Sequence, residues 1–451
     1  MSQPQQLDAN EARLRRELGV VLAAAVTVNA MVGTGIFRLA PNVLQLAGSS
    51  TAALAVWVAG GVISLCGALC IAELAAALPR AGGIYPYLRH AYGRVVAFWY
   101  GWTRLTLLGP AAAGSFARLA AESLGAVLGW APDAGRDTLV AVAVLVGCTL
   151  VNLSGVRTAS TEQAILTALK FAGLTVLALA CLSSSSSAAV PPDPDSLARF
   201  AIGGAFSALV SVMWTYDGWA DVSSLAGESR QPGRTMPIAL VAGTGVVTAV
   251  FVLVNVGYLH VLGAGGVAAS GSGSEMVAMR AAELSLGEHG RRVLAALVFT
   301  SCLGTCMVGI LTGSRVYVSM ASDGFWRWLG HVSPRTGVPA RAVVIGCGLG
   351  IVYLSFRSFE QLTDSFVSGM FPFYMLAVVA VLLLRRRQPE LPRPFRTPLY
   401  PLLALVFLLG ASALLWGAAR DVHGIAFAAF GVMLLGLPLG FALSRRATAG
   451  A

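Results

Sequence analysis

Charge is the scarcest commodity in this sequence. Only 12% of its 451 residues are Asp, Glu, Lys or Arg, while 56% are apolar. A globular protein carries roughly 25% charged residues. A water-facing surface cannot be assembled from such a composition, which excludes a soluble enzyme or binding domain. Histidine is equally sparse. His90, His260, His289, His331 and His423 fall at the ends of apolar runs or between them, without metal-ligand or catalytic-triad spacing, so neither an enzyme nor a metal site is expected. The seven cysteines, Cys66, Cys70, Cys148, Cys181, Cys302, Cys306 and Cys347, lie in or at the edge of apolar runs and avoid the connecting loops. They read as packing residues, not as a disulfide frame. No cofactor is implied.

What is present is length of apolar run. Segments such as 95–120 and 138–156 match the roughly 20 residues a helix needs to cross a bilayer. They lack the short alternation of barrel strands, and only helices or closed barrels satisfy every backbone group in lipid. The expected fold is an all-α integral membrane protein with 12 transmembrane helices, at about 18–45, 51–77, 95–120, 138–156, 161–182, 200–222, 238–262, 292–320, 341–357, 363–384, 398–416 and 424–443. A polar N-terminal stretch, 3–17, lacks the apolar core of a cleaved leader, so the N-terminus is expected to be retained.

With both termini cytoplasmic, most loop arginines, among them Arg13, Arg15, Arg16, Arg80, Arg89, Arg94 and Arg385 to Arg387, fall on the inside, and fewer than half as many fall outside. That bias supports the span count and a multi-pass location in the cell membrane. The net charge of +10 then answers an anionic inner leaflet, and nucleic acid is not an expected partner. The Gly-rich 263–291 segment, the 121–137 segment and the Ser183 to Ser187 run read as flexible connections. Residues 1–17 are expected to form a cytoplasmic segment, 18–384 a ten-helix core, and 385–451 helices 11 and 12.

Two spans are interrupted. In the first, Val32-Gly33-Thr34-Gly35-Ile36-Phe37 and then Pro41 set two glycines and a hydroxyl at mid-depth. An unwound stretch there would offer free N–H groups to a carboxylate; close helix packing is the other reading of the same glycines. In the sixth, Trp214-Thr215-Tyr216-Asp217-Gly218-Trp219 puts a carboxylate beside a glycine. An intramembrane acid faces a cavity or a partner, so Asp217 is either a site residue or the ion-pair partner of Arg104 in the third span. If the first ten spans form a 5+5 inverted repeat, spans one and six correspond, and paired broken helices point to a midplane substrate site.

Lys170 is the one lysine, inside span five between Leu169 and Phe171. It must pair, donate to carbonyls, snorkel or lose its proton. As a cation fixed beside the first helix it could replace a bound sodium ion. Glu73 and Arg315 read as structural charges within reach of interfacial water or of each other's loops, and Trp99, Trp102, Trp326 and Trp328 as an interfacial belt.

With these residues in view, the chain resembles the amino acid/polyamine/organocation superfamily, in particular L-type amino acid transporters and related bacterial permeases. The resemblance spans nearly the whole length. It rests on Gly33-Thr34-Gly35-Ile36-Phe37, Phe98-Trp99-Tyr100-Gly101-Trp102, Tyr216-Asp217-Gly218-Trp219 with Ala226-Gly227-Glu228, Ser314-Arg315 through Asp323-Gly324, and Leu391-Pro392-Arg393-Pro394-Phe395-Arg396.

The resemblance implies that amides at Gly33, Thr34 and Gly35 take a substrate carboxylate. Carbonyls of Met31, Trp214 and Asp217 would take its amino group, and the Trp214 ring would close over it. Tyr216 and Gly218 complete the expected site. Lys170 resembles the fifth-helix lysine of sodium-independent members, with Ser301 or Thr305 beside it. Many relatives have glycine where Asp217 stands, and its carboxylate would favour polar or cationic cargo. The implied function is transport of amino acids, small neutral ones first, by sodium-independent exchange. Proton-coupled symport of amino acids or polyamines is the alternative, and a membrane sensor or channel the rival from another class. Outer loops hold no cysteine for linkage to a partner, which implies a stand-alone subunit without a disulfide-linked light-chain arrangement.

Overall fold

The computed structural model describes residues 18–131, 133–184, 202–270, 276–420 and 425–449. The 1–17 segment and most of the serine-rich run expected to be flexible lie outside them. The described chain is helical throughout, and its lone strand-like feature is one bridge pairing Leu18 with Ser229.

The first interrupted span is three helices: α1 (Val20–Met31), α2 (Gly35–Arg38) and α3 (Ala40–Ala47). Pro41 in the first turn of α3 costs nothing there, because its missing N–H would have had no partner. α4 (Ser50–Ala77) follows, its first turn capped by the Ser49 hydroxyl, which accepts from the Ala52 amide at 3.2 Å. Next come α5 (Ile84–Tyr92) and α6 (Arg94–Thr103), then a π-helical turn at Arg104–Leu108 that runs into α7 (Gly109–Leu128). Asp133 caps α8 (Ala134–Ser154), and Gly155 separates it from α9 (Val156–Ser183).

The second interrupted span is α10 (Ile202–Tyr216) and then a 3-10 helix, Asp221–Glu228. Beyond it lie α11 (Pro232–Ala269), α12 (Val277–Ser322), α13 (Ala340–Phe356), α14 (Phe359–Arg387), α15 (Leu402–Arg420) and α16 (Ile425–Ala449). Ser358 and Gln361 close a capping box at the start of α14, with bonds of 3.1 and 3.2 Å.

Seven of the described helical segments are long and apolar enough to cross a membrane, and Thr167–Ser183, Ala340–Phe356 and Phe430–Arg445 are shorter apolar helices. The outward residues suit lipid. Leu139 and Leu150 on α8, Val176 and Leu179 on α9, Leu409 on α15 and Leu435 on α16 are all exposed, an arrangement untenable in water but natural against acyl chains.

Association inside the bundle depends on small residues that let backbones approach. α4 packs along α11, and α12 along α7 and α9. At Gly61 of α4 a Cβ would sit 2.2 Å from the Thr248 methyl of α11. A larger residue there would have to displace the Thr248 side chain.

Three expectations need correction. The 121–137 and 263–291 segments are not simply loops: α7 continues to Leu128, α11 bends at Gly263 (φ 66°) and α12 at Gly287 (φ 74°), and helix continues on both sides of each bend. Val267, Val277, Ala278 and Ala281 are buried, so the described residues on either side of 271–275 are held by packing that composition alone does not reveal. Second, Arg315 and Glu73 do not reach interfacial water. Arg315 is fully buried and donates to Glu228 at 3.0 Å, and Glu73 accepts from Arg385 at 2.8 Å. Third, the Trp99 and Trp102 indoles spend their N–H groups on the protein, donating to the carbonyls of Met433 and Val432 on α16, each at 2.8 Å. They fasten α6 to α16, whereas Trp328 is exposed.

Candidate substrate site

The two breaks meet. α1 ends at Met31, and Val32 (φ −78°, ψ 73°) turns the chain out of the helix; the Gly33 amide donates to the Met31 carbonyl at 2.8 Å before α2 begins. α10 ends at Tyr216. The Asp217 amide donates to the Trp214 carbonyl at 3.2 Å, and Gly218 takes φ +100°, a conformation that a side chain would strain. A Cβ on Gly218 would lie 2.7 Å from the Ala30 carbonyl, and one on Gly35 would lie 2.1 Å from the Thr215 hydroxyl and 2.9 Å from its Cα. Each glycine admits the backbone of the opposite broken helix. The packing and unwinding readings of these glycines are therefore both correct, at different residues.

Between the breaks is a cavity of about 480 Å³ when its open mouth is counted. Met31, Gly33 and Thr34 form one wall, Trp214, Asp217 and Gly218 the facing one, and Arg104, Phe116, Thr305 and Phe366 close the sides. The Trp214 indole donates to the Thr34 hydroxyl at 3.2 Å, stacks on Phe116 with ring centres 5.8 Å apart and meets Phe366 edge-on at 5.2 Å. The Met31 and Trp214 carbonyls each accept one bond at the breaks, which leaves each a second lone pair.

Lys170 is buried. Its amine donates to the carbonyls of Asn29 and Val32, at 3.3 and 3.2 Å, and to the Thr305 hydroxyl at 2.8 Å. Ser301 also donates to the Val32 carbonyl, at 3.1 Å. Carbonyls left without helical partners where α1 unwinds are thus gathered by one ammonium and two hydroxyls. Snorkelling does not occur.

Not every expected residue reaches the cavity. Tyr216 turns away and packs between Trp57 and Phe251, with ring centres 6.1 and 5.2 Å distant. Gly35 serves the contact with Thr215, and Ser301 supports Val32 from behind. The Arg104–Asp217 ion pair is not formed. Asp217 accepts from the Tyr374 hydroxyl at 2.8 Å, while Arg104, starting the π-helical turn, is directed at α12 and reaches the Gly309 carbonyl at 3.5 Å.

Residues missed from sequence also line the space. Asp221, one turn beyond Asp217, is a second acid in the cavity wall, and its i, i+4 spacing was a visible signal. Phe116, Phe366 and Gly309 had none, since an aromatic or a glycine in an apolar helix is ordinarily packing.

This geometry has a family. The chain matches the amino acid permease family over residues 18–437. It belongs to that family. The permease is similar to the serine/threonine exchanger SteT of Bacillus subtilis (strain 168), at 25% identity over 96% of this chain and 98% of the relative. It is 27% identical to the human b(0,+)-type amino acid transporter 1, over 85% of this chain and 79% of the relative. To the mouse large neutral amino acids transporter small subunit 2 it is also 27% identical, over 95% and 81% respectively. Family membership and the apolar helices make the permease a multi-pass membrane protein.

Proposed function

We propose that the permease exchanges amino acids across the cell membrane by alternating access, without sodium, and favours small neutral substrates. The observation that carries this is the meeting of two broken helices around a cavity, with an ammonium already seated on the carbonyls at the first break. In this reading the α-carboxylate lies against amides at Gly33 and Thr34, both in the cavity wall. The α-amino group takes the spare lone pairs of Met31 and Trp214 and the Asp217 carbonyl. Trp214, held by Thr34 and flanked by two phenylalanines, closes over the bound molecule. Lys170 supplies from within the protein the positive charge that a bound cation would bring, so no ion need travel with the substrate.

Exchange needs only that the empty carrier reorients slowly. Twelve spans in a 5+5 inverted repeat, both termini inside and a stand-alone subunit belong to the same proposal. The exchanger and transporters among the relatives favour it.

A second reading is proton-coupled symport, favoured by two carboxylates, Asp217 and Asp221, in one cavity wall. Uptake of a labelled amino acid panel into proteoliposomes in sodium-free buffer separates the two. We expect uptake only when the vesicles hold unlabelled amino acid. Uptake into empty vesicles driven by a proton gradient would favour symport, and binding without flux would sink transport altogether and leave a sensor.

A further inference from the structure

The passage from α6 into α7 is irregular for a chemical reason. Pro110 has no N–H, and a proline ring crowds the carbonyl four residues back, which here is that of Thr106. The chain answers with the π-helical turn Arg104–Leu108, closed by the Gly109 amide on the Arg104 carbonyl, five residues back instead of four. Gly109 suits that closure, since a Cβ there would lie 2.9 Å from the Arg104 carbonyl oxygen. The Thr106 carbonyl, which Pro110 cannot serve, accepts instead from the Tyr353 hydroxyl of α13 at 2.7 Å.

The turn decides which residues face the cavity. Arg104, Ala112 and Phe116 all line it. An α-helix advances about 100° per residue, so in an unbroken helix Ala112 and Phe116 would stand roughly 80° and 120° out of line with Arg104. A turn closed one residue later absorbs one extra residue and brings both within about 20° of it. Arg104 shares a face with Phe116 because the π-turn lies between them.

We propose that Tyr353 is a positioning residue for the substrate site. Its hydroxyl holds the π-turn, and the π-turn holds Arg104 in the cavity wall. Tyr353 itself does not line the cavity, and it acts through the Thr106 carbonyl from a helix that contributes nothing else to the site. The inference rests on the amino acid reading of the cavity, but its argument is separate, being the register of one helix.

The test measures half-saturation and maximal rate of alanine exchange in proteoliposomes, and thermal stability of the purified protein, for Tyr353→Phe, Pro110→Ala and the double variant. Tyr353→Phe removes one hydroxyl. It should lower thermal stability and raise the half-saturation concentration about fivefold or more, with the maximal rate per folded protein little changed. Pro110→Ala returns an N–H to the Thr106 carbonyl, lets the chain resume the α-helical register and swings Arg104 out of the wall. It should raise half-saturation as Tyr353→Phe does, without the loss of stability. In that background Tyr353→Phe should change neither quantity further, and if Tyr353→Phe alone does not fold, the double variant should fold and bind as Pro110→Ala does.

The proposal is overturned if Tyr353→Phe behaves as the wild type, or if it loses stability and rate at an unchanged half-saturation, the mark of a bond that only supports the fold. It is equally overturned if the two substitutions multiply in the double variant, because tyrosine and proline would then act on different parts of the site. A wild-type protein that neither binds nor exchanges any amino acid would instead overturn the reading of the cavity, a failure that is recognised before any variant is made.

Discussion

Lys170 illustrates how one residue can hold a site together. Its three N–H bonds go to two carbonyls and one hydroxyl, all buried, and they tie the end of α1 to α9 and α12. Lys170→Met would strand acceptors that water cannot reach, at about 1.5–3 kcal/mol for a charged donor. We expect apparent thermal stability to fall and exchange to drop by tenfold or more. Lys170→Arg should not rescue it, because a planar guanidinium cannot converge on three acceptors in a space fitted to an ammonium. Exchange by Lys170→Arg at near wild-type rate would show that charge alone suffices.

The lone lysine in an apolar run was legible from sequence because such a residue is expensive anywhere in hydrocarbon. Its partners were not, since backbone carbonyls carry no sequence signature.

At the scale of elements, the first interrupted span is tied differently at its two ends. Arg38, on α2, pairs with Glu122 of α7 and with Glu360 of α14 at 3.2 Å, and lies 5.0 Å over the Phe359 ring. α7 and α14 are also the helices that bring Phe116 and Phe366 to the cavity. At the other end Arg315 is buried against Glu228, whose carbonyl accepts from the Leu18 amide at 2.9 Å.

The Arg38 pairs are partly exposed, so each should contribute less than ~1 kcal/mol. They would suit a contact that breaks and re-forms in the proposed exchange cycle. The buried Arg315–Glu228 pair would not, because losing one partner there strands a charge at roughly 3–5 kcal/mol. In a double-mutant cycle, Arg38→Gln and Glu122→Gln should each change the exchange rate, and the double variant should change it by less than the product of the two. Independent effects would mean that the pair does not govern opening.

At the scale of the whole molecule, the arginine distribution and the helix order bear on how the chain sits in the bilayer. With both termini inside, a C-terminal green fluorescent protein fusion should fluoresce and an alkaline phosphatase fusion should be inactive. The reverse pattern would remove one span from the count. Exposed leucines and valines on α8, α9, α15 and α16 give these helices a face suited to lipid, while α1, α7, α10, α12 and α14 supply the cavity. α9 does both, since Lys170 on its other face holds the break in α1.

The helical class, the membrane setting and the two breaks follow from sequence by itself. Each reflects a local cost: charge in hydrocarbon, backbone without partners, glycines and a hydroxyl at mid-helix. Asp221 was equally legible, one turn from Asp217, although only the fold drew it out. Tertiary structure alone decided the rest. It turned Tyr216 away from the cavity against Trp57, sent Arg104 to Gly309 instead of Asp217, continued helix on both sides of the bends at Gly263 and Gly287, and brought Phe116 from α7 and Phe366 from α14 onto Trp214. The physical reason is common to all four. Which face of an apolar helix meets a neighbour, and which meets a cavity, depends on packing between segments far apart in the chain, and in a uniformly apolar helix no periodicity marks that face.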